Sequence, residues 1–383
     1  MSRHIIFVIP IGEYYSPVSG GAIATIAMQN ARELIKRGYR VSILGSLNAD
    51  EAYEVGTIFP IHSPKRDDLN FWQRVLSRFR GKYFNFGWPY YDFYLGSILK
   101  ALTKLPTPPD AIMFFNDIVA PSYVRRRYPK VRILVNLQNE HRSVRQDAKS
   151  LFGKIDKVLA CSGYIRDWTV AEYNLPEEQV VALNSGVDLD AFFPRTDYLE
   201  PRKELRVLFV GRIDYNKGPD IAADAVALLR KENLPITLTV AGGLWFYGHG
   251  KENEDPYFIL LKQKMEAASA HYLGHVTRKQ IGDTFRNHDV ACVLSRSTEP
   301  FGLVVLEAMA SGCAVVASNR GGIPDACGPA GTMLDPDDFP AVVQALSSFC
   351  QDASALADAR LKSRTHALDC SWASRVDDLE KYL

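Results

Sequence analysis

The stretch SRSTEPFGLVVLEAMASGCAVVASNRGG occupies residues 295–322 and follows a short apolar run at residues 290–294. Pro300 and Gly302 interrupt the apolar pattern, residues 303–310 are good helix formers, and Gly312 closes that run. Another β-branched apolar segment comes next. This order predicts strand, loop, helix and strand, the repeating unit of an open α/β sheet.

The loop of this unit has the chemistry of a site for an anion and a sugar. In an open α/β sheet it lies at the carboxyl end of its strand, where the next helix presents free N–H groups and the positive end of its dipole. Glu299 lies in the loop, and Glu307 stands one helical turn after Leu303, on the same face. Carboxylates suit sugar hydroxyls better than phosphate, so the combination predicts a nucleotide sugar.

Seven residues separate the two glutamates, and EPFGLVVLEAMASG resembles the E-x7-E signature of retaining glycosyltransferases in the "glycosyl transferases, group 1" family. The resemblance implies the GT-B fold, an α/β architecture of two Rossmann-like βα domains facing a central cleft. It also implies that Glu299 positions the hexose and Glu307 the ribose, while Phe301, Gly302 and Leu303 bind the donor. A buried helix with two incidental glutamates is the alternative interpretation.

Size and composition limit the class of protein. A chain of 383 residues, 47% hydrophobic and 23% charged, predicts two globular domains, and a net charge of +1 argues against a dedicated nucleic-acid binder. The six cysteines are scattered without metal-ligand spacing, so neither a zinc site nor a disulfide framework is expected. The apolar run at residues 5–11 is too short to span a membrane. We expect a cytoplasmic protein, with the inner face of the membrane as a further location.

We predict an amino-terminal, acceptor-binding Rossmann-like domain at residues 1–190 and a nucleotide-sugar-binding domain at residues 191–370. The resemblance implies that a last helix, residues 371–383, crosses back onto the first domain. Gly20 and Gly21 come at the start of the first predicted helix, where absent side chains let the backbone approach a phosphate. A tight turn explains the pair as well, but similarity to the family's GG loop favours contact with the donor diphosphate.

A predicted strand at residues 133–137 is followed by Gln138, where many relatives of this family carry a histidine near the donor sugar. Either Gln138 supplies that polar contact or His141, three residues later, reaches the site. Its position directly after the strand favours Gln138.

The second domain opens with a strand at residues 205–210 and a loop that resembles the family's G-R-x(4)-K-G sequence. Arg212 offers a planar guanidinium with several N–H donors, and Lys217 offers a compact positive charge. Together they could neutralise a diphosphate. Two surface cations on a turn are the alternative. Gly243 after the next strand and Val276 in YLGHV are further donor-binding candidates, the latter by similarity to the segment that meets the base. The predicted donor is of UDP or GDP type, with no metal and no other cofactor.

Residues 71–82 predict a basic amphipathic helix. One face carries Phe71, Trp72, Val75, Leu76 and Phe79, and the basic residues Arg74, Arg78, Arg80 and Lys82 lie elsewhere. Such a stripe most often packs on the core of its domain, and we favour that interpretation. The alternative is contact with an anionic membrane beside the acceptor site.

Two short motifs are weaker. Asp188 and Asp190 form a D-x-D, which holds a metal in the other major glycosyltransferase fold, but that fold's surrounding pattern is absent. Gly243 and Gly248 are spaced as in a P-loop, yet His249 replaces the required lysine, which argues against an ATPase.

The sequence therefore predicts a retaining hexosyltransferase that moves a hexose from a nucleoside-diphosphate sugar to a saccharide or lipid-linked acceptor in bacterial lipopolysaccharide, capsule or exopolysaccharide assembly. Arg212, Lys217, Glu299 and Gln138 are the candidate catalytic residues. Two alternatives stay open: a sugar-nucleotide epimerase on the same fold, and a non-catalytic nucleotide-sugar-binding module, which the missing histidine at Gln138 makes worth stating.

Overall fold

The computed structural model describes residues 2–48, 51–64, 68–84, 90–141, 148–244 and 255–383. The chain divides into two compact units, one formed by residues 1–184 with 375–383 and the other by residues 185–374. Within the described residues each unit contains one sheet, with seven strands in the first and six in the second, and all neighbouring strands are parallel.

The first unit alternates strands and helices. Its strands are β1 (His4–Val8), β2 (Arg40–Gly45), β3 (Thr57–Pro60), β4 (Ala111–Phe115), β5 (Arg132–Leu137), β6 (Lys157–Ala160) and β7 (Val180–Ala182). Its helices are α1 (Ala22–Lys36), α2 (Phe71–Phe84), α3 (Tyr91–Thr103), α4 (Ala120–Arg127), α5 (Ala148–Phe152) and α6 (Gly163–Tyr173). The strand order is β3-β2-β1-β4-β5-β6-β7, so the winding direction reverses between β1 and β4. Both of these strands are fully buried and, apart from His4, apolar, as a parallel sheet covered on both faces requires.

The second unit repeats this architecture. Its strands are β8 (Leu205–Val210), β9 (Ile236–Ala241), β10 (His271–Gly274), β11 (Val290–Val293), β12 (Ala314–Ser318) and β13 (Thr332–Leu334). The helices that follow residue 218 are α7 (Pro219–Lys231), α8 (Pro256–Ala267), α9 (Ile281–Arg286), α10 (Leu303–Ala310), α11 (Ile323–Cys327), α12 (Phe339–Gln351), α13 (Ala353–Asp369) and α14 (Trp372–Glu380), which ends in the first unit. The strand order β10-β9-β8-β11-β12-β13 reverses between β8 and β11.

The apolar stripe of α2 is exposed, so the favoured interpretation that it packs on the core is wrong. Phe71, Trp72 and Phe79 are 69%, 75% and 75% exposed. Ser77 lies on the opposite face of the helix, is buried, and donates to the carboxylate of Asp92 on α3 at 2.5 Å. The helix therefore contacts its own domain through its polar side, and the stripe faces outward.

In the described ranges, no helix is both long enough and apolar enough to cross a bilayer.

Candidate active site

The two loops that carry Arg212, Lys217 and Glu299 follow neighbouring strands of the second sheet. β8 and β11 pair directly, and the winding direction of the sheet reverses between them. Ligands of open α/β sheets bind at such a point, beyond the carboxyl ends of the strands. The loop at residues 211–218, with Arg212 and Lys217, follows β8, and the loop at residues 294–302, with Glu299, follows β11.

Glycines shape the loop that leads into α10. Gly302 precedes the helix with φ of 97°, a left-handed conformation that favours glycine. Gly321 packs against Glu299, since a Cβ on Gly321 would lie 2.4 Å from the Glu299 carbonyl oxygen. The N–H of Gly322 donates to that same oxygen at 2.7 Å. The segment of Gly321 and Gly322 thus packs against the backbone of Glu299, and the turn at Gly302 presents the amino terminus of α10.

Lys217 and Glu299 are brought together by this arrangement. The Lys217 ammonium donates to Oε1 of Glu299, and the Ser295 hydroxyl donates to the same oxygen at 2.9 Å. The Glu299 side chain is 14% exposed and that of Lys217 28%. A partly buried cation and carboxylate therefore lie side by side next to the amino terminus of α10.

Arg296 joins the two loops, and the sequence reasoning did not single it out. Its guanidinium donates to both carboxylate oxygens of Asp220 at 2.8 and 2.7 Å, donates to the Tyr215 carbonyl oxygen at 2.8 Å, and lies 4.1 Å from the Tyr215 ring centroid. The Arg296 backbone N–H donates to the Asn216 carbonyl oxygen at 2.7 Å. Burial acts to raise the pKa of Asp220, but hydrogen bonds from Arg296 and Tyr257 outweigh it and the pKa is lowered. Asp220 is therefore a firm ionic anchor for Arg296.

Glu307 lies on α10 as predicted, and its ion partner was not anticipated. Arg278 approaches Oε1 of Glu307 at 2.7 Å, and the Glu307 side chain is only 9% exposed. Burial raises the pKa of Glu307, and the charge of Arg278 and its hydrogen bond oppose that effect. Arg278 follows Val276 by two residues in the loop after β10, so the segment predicted to meet the base also reaches the second glutamate.

The remaining predicted residues of the second unit line the same edge of the sheet. The Arg212 Nε donates to Oδ2 of Asp214 at 2.5 Å. Gly243 accepts a hydrogen bond from the Ile213 N–H at 2.9 Å, which ties the loop after β9 to the Arg212 loop. Val276 is half-buried just beyond β10. Gly248 and His249 lie outside the described residues.

In the first unit Gly20 and Gly21 come directly before α1, and a carboxylate of the chain already occupies the helix end. Oε1 of Glu13 accepts the N–H groups of Gly21 and Ala24 at 2.7 and 3.2 Å. Burial raises the pKa of Glu13, and these two N–H groups oppose that effect. A Cβ on Gly20 would lie 2.2 Å from the Ser16 carbonyl oxygen, so close packing of the loop by itself requires glycine there.

Gln138 follows β5 directly, but its amide group is turned toward its own sheet. Its side-chain NH₂ donates to the Asn136 amide oxygen, and its backbone N–H donates to the Asn116 amide oxygen at 2.6 Å. His141 is partly covered, and burial lowers its pKa to about 4. At neutral pH this imidazole is uncharged.

Asp188 caps a turn. Its Oδ1 accepts the backbone N–H groups of Asp190 and Ala191 at 3.1 and 3.2 Å. The described ranges contain no group of three or more histidine, cysteine, aspartate or glutamate side chains able to hold a metal ion.

Comparison of the sequence with models of known protein families shows which family the chain belongs to. Residues 193–366 match the family model "Glycosyl transferases group 1", and residues 20–191 match "Glycosyltransferase Family 4". The two matches adjoin and leave only the ends of the chain uncovered. The chain belongs to the group 1 glycosyltransferases. The family predicted from the sequence is therefore confirmed.

Solved structures of glycosyltransferases support the fold along the whole chain. Sucrose-phosphate synthase from Thermosynechococcus elongatus superposes with a TM-score of 0.69 at 17% identity, covering 99% of this chain and 98% of that one. Anabaena Alr3699/HepE in complex with UDP and glucose gives a TM-score of 0.69 at 16% identity, with 98% of each chain covered. The predicted GT-B fold, with two parallel-sheet α/β domains, is confirmed.

Curated relatives align over shorter stretches. The D-inositol 3-phosphate glycosyltransferase of Mycolicibacterium smegmatis is 33% identical over 219 residues, which are 55% of this chain and 48% of the relative. The aligned part of this group 1 glycosyltransferase thus spans about half the length of that relative.

Proposed function

We propose that this protein is a retaining hexosyltransferase that transfers a hexose from a nucleoside-diphosphate sugar to a saccharide or lipid-linked acceptor in bacterial glycan assembly. The contact between Lys217 and Glu299 is the observation that carries the proposal. It joins a cation suited to a phosphate with a carboxylate suited to sugar hydroxyls, directly before the amino terminus of α10. A nucleoside-diphosphate sugar carries both groups, linked by the bond that breaks.

Catalysis would consist chiefly of stabilising the leaving group. As the bond to the anomeric carbon breaks, negative charge develops on the diphosphate, and preorganised donors are the largest stabilising contribution in such steps. Lys217, Arg212 and the N–H groups at residues 302 and 303 would supply them, with Gly243 and Val276 beside the nucleotide. These fixed charges make a metal ion unnecessary in the proposed mechanism.

Glu299 would hold the hexose through its hydroxyls. Lys217 and Ser295 both donate to Oε1 of this carboxylate, which leaves Oε2 as the acceptor for the sugar. Such an engaged carboxylate is poorly suited to attack the anomeric carbon. We therefore assign retention to attack by the acceptor on the face that the diphosphate leaves, with a departing phosphate oxygen taking the acceptor's proton.

The acceptor would bind to the first unit, and the exposed stripe of α2 favours a lipid-linked one. α2 has the sequence FWQRVLSRFRGKYF, which contains four basic residues and no acidic residue. An apolar face flanked by positive charge is complementary to an anionic lipid surface. We propose that this helix rests on such a surface, beside the place where a lipid-linked acceptor would enter.

Incubation with sugar nucleotides tests the proposal. The purified protein is given UDP- and GDP-hexoses, first alone and then with saccharide and lipid-linked acceptors, in the presence of EDTA. Slow hydrolysis alone and transfer with acceptor support a metal-independent transferase. An isomerised donor would instead identify an epimerase, binding without any product would identify a non-catalytic module, and activity abolished by EDTA would contradict metal independence.

A further inference from the structure

The ion pair between Arg278 and Glu307 has an unusual balance of exposure. Glu307 is nearly buried, with a side chain 9% exposed, whereas the Arg278 side chain is 47% exposed. A surface arginine therefore reaches inward to a buried carboxylate. Breaking a pair of this kind leaves a buried charge without compensation, which is much more costly than losing a surface ion pair.

The contact uses one carboxylate oxygen. Arg278 approaches Oε1 at 2.7 Å. An ionised carboxylate has about four lone-pair sites on its two oxygens, so one donor does not saturate it. Oε2 can still accept a hydroxyl while Oε1 is held, and the ion pair fixes the direction in which that oxygen points.

We propose that Arg278 is a positioning residue for the nucleotide: its guanidinium holds one oxygen of Glu307 so that the other accepts a ribose hydroxyl. This inference rests on the proposed function and takes from the sequence resemblance the expectation that Glu307 meets the ribose. Arg278 acts through Glu307 and belongs to the loop after β10, which is also the segment predicted to meet the base, so one loop would serve both the base and the ribose.

Among the described residues, the charge of Arg278 acts to lower the pKa of Glu307 and the charge of Asp188 acts to raise it. The elements packed on α10 carry other charged side chains, and four of these have partners other than Glu307. Arg360 and Arg364 of α13 donate to the carbonyl oxygens of Gly312 and Ala310, Asp283 and Arg286 of α9 pair with each other, and α11 carries Asp325. β11 and β12 carry no charged side chain.

A pH-dependent binding experiment separates positioning from general stabilisation. Calorimetric titration first compares the binding of UDP, GDP and ADP to the wild type. The nucleotide that binds most tightly, and its nucleoside, are then titrated into Arg278→Gln and Arg278→Lys. Arg278→Gln should weaken binding of the nucleotide and binding of the nucleoside by the same factor, about tenfold or more, because both ligands contain the ribose. Arg278→Lys, which restores the charge, should recover most of the loss.

The pH dependence of nucleotide affinity distinguishes the two roles, because a merely structural role of Arg278 would leave it unchanged. Without Arg278 the buried carboxylate of Glu307 takes up a proton at a higher pH than in the wild type, because burial then acts unopposed. Affinity of Arg278→Gln should therefore fall as pH decreases over a range where the wild type is still constant, approaching about tenfold per pH unit. Arg166→Gln is the matched control, since the Arg166 side chain is 46% exposed but pairs with an exposed carboxylate, that of Asp167.

Three outcomes would overturn the inference. They are unchanged affinity in Arg278→Gln, a loss confined to the diphosphate, and a loss that is constant across pH. Failure of the proposed function looks different: the wild type itself would bind none of the nucleotides, or would bind them and give no transfer product in the incubation with donor and acceptor.

Discussion

The guanidinium of Arg296 donates two hydrogen bonds to the carboxylate of Asp220, at 2.8 and 2.7 Å. Asp220 lies in the first turn of α7, directly after the Lys217 loop, and Arg296 lies in the loop that carries Glu299. The pair therefore fixes the separation between the cation and the carboxylate of the candidate site. Catalytic groups need their geometry held to within a fraction of an ångström, so this pair should matter for turnover.

Arg296→Lys should lower turnover more than it weakens nucleotide binding. Lysine keeps the charge but cannot make the planar two-bond contact with Asp220. We expect kcat to fall about tenfold or more, with a smaller change in the Kd for UDP. Arg195→Lys is the control, because Arg195 makes the same two-bond contact with Asp197 in an exposed position. Equal losses in both variants, or no loss in Arg296→Lys, would contradict the assigned role.

Arg212→Ala should weaken binding of a nucleoside diphosphate far more than binding of the nucleoside. A guanidinium that contacts phosphate contributes a charge-assisted hydrogen bond, so the expected loss for UDP is about tenfold to a hundredfold. Uridine affinity should stay within about twofold of the wild type, since uridine lacks the phosphates. Calorimetric titration of both ligands measures this, and equal losses for UDP and uridine would argue that Arg212 supports the fold instead.

Glu13→Gln should remove a pH dependence of stability. Because burial raises the pKa of Glu13 above its ordinary value of 4.5, the protonated form is favoured in the folded chain. The Glu13 contribution to the free energy of unfolding is therefore fully present below the ordinary value and is lost as pH rises through the raised pKa. Urea unfolding from about pH 4 to about pH 8 should show the wild type losing stability relative to Glu13→Gln. A difference that is flat, or that grows in favour of the wild type with pH, would count against this.

Trp72→Ser with Phe79→Ser should abolish binding to anionic vesicles. Both side chains are 75% exposed, so the change removes apolar surface without opening the core. Co-sedimentation with phosphatidylglycerol vesicles at low salt should recover the wild type and lose the double variant, and Arg78→Gln should weaken binding and its salt dependence. Ile259→Ser with Leu361→Ser is the control, because these side chains are also exposed, at 45% and 47%. A wild type that fails to bind the vesicles would end the membrane proposal.

Much of the second unit was predictable because its signals are local. The helix at residues 303–310 and the glycine before it were read directly from helix formers and a helix start, and the structure places α10 at Leu303–Ala310. The fold followed from repeating this strand and helix pattern, and the family signature lies within one such unit. The residues of such a motif are close together in the sequence, so the motif can be recognised without knowing which distant segments are in contact.

The contacts between loops were not predictable in this way. Arg296 and Asp220 are 76 residues apart, and nothing in either segment shows that the strand order brings them together. Glu13 reaches Gly21 across an irregular loop that has no period to read. The stripe of α2 was misinterpreted because an amphipathic helix has the same pattern whether its apolar face meets a protein core or a lipid surface.

The anomeric configuration of the first-formed product tests the central claim most directly. Proton NMR during the reaction of an α-linked hexose donor with its acceptor reads this configuration from the anomeric coupling constant. The account predicts an α-linked product from the wild type and almost none from Glu299→Ala, which should still bind the nucleoside diphosphate. A β-linked product, or full activity in Glu299→Ala, would contradict it.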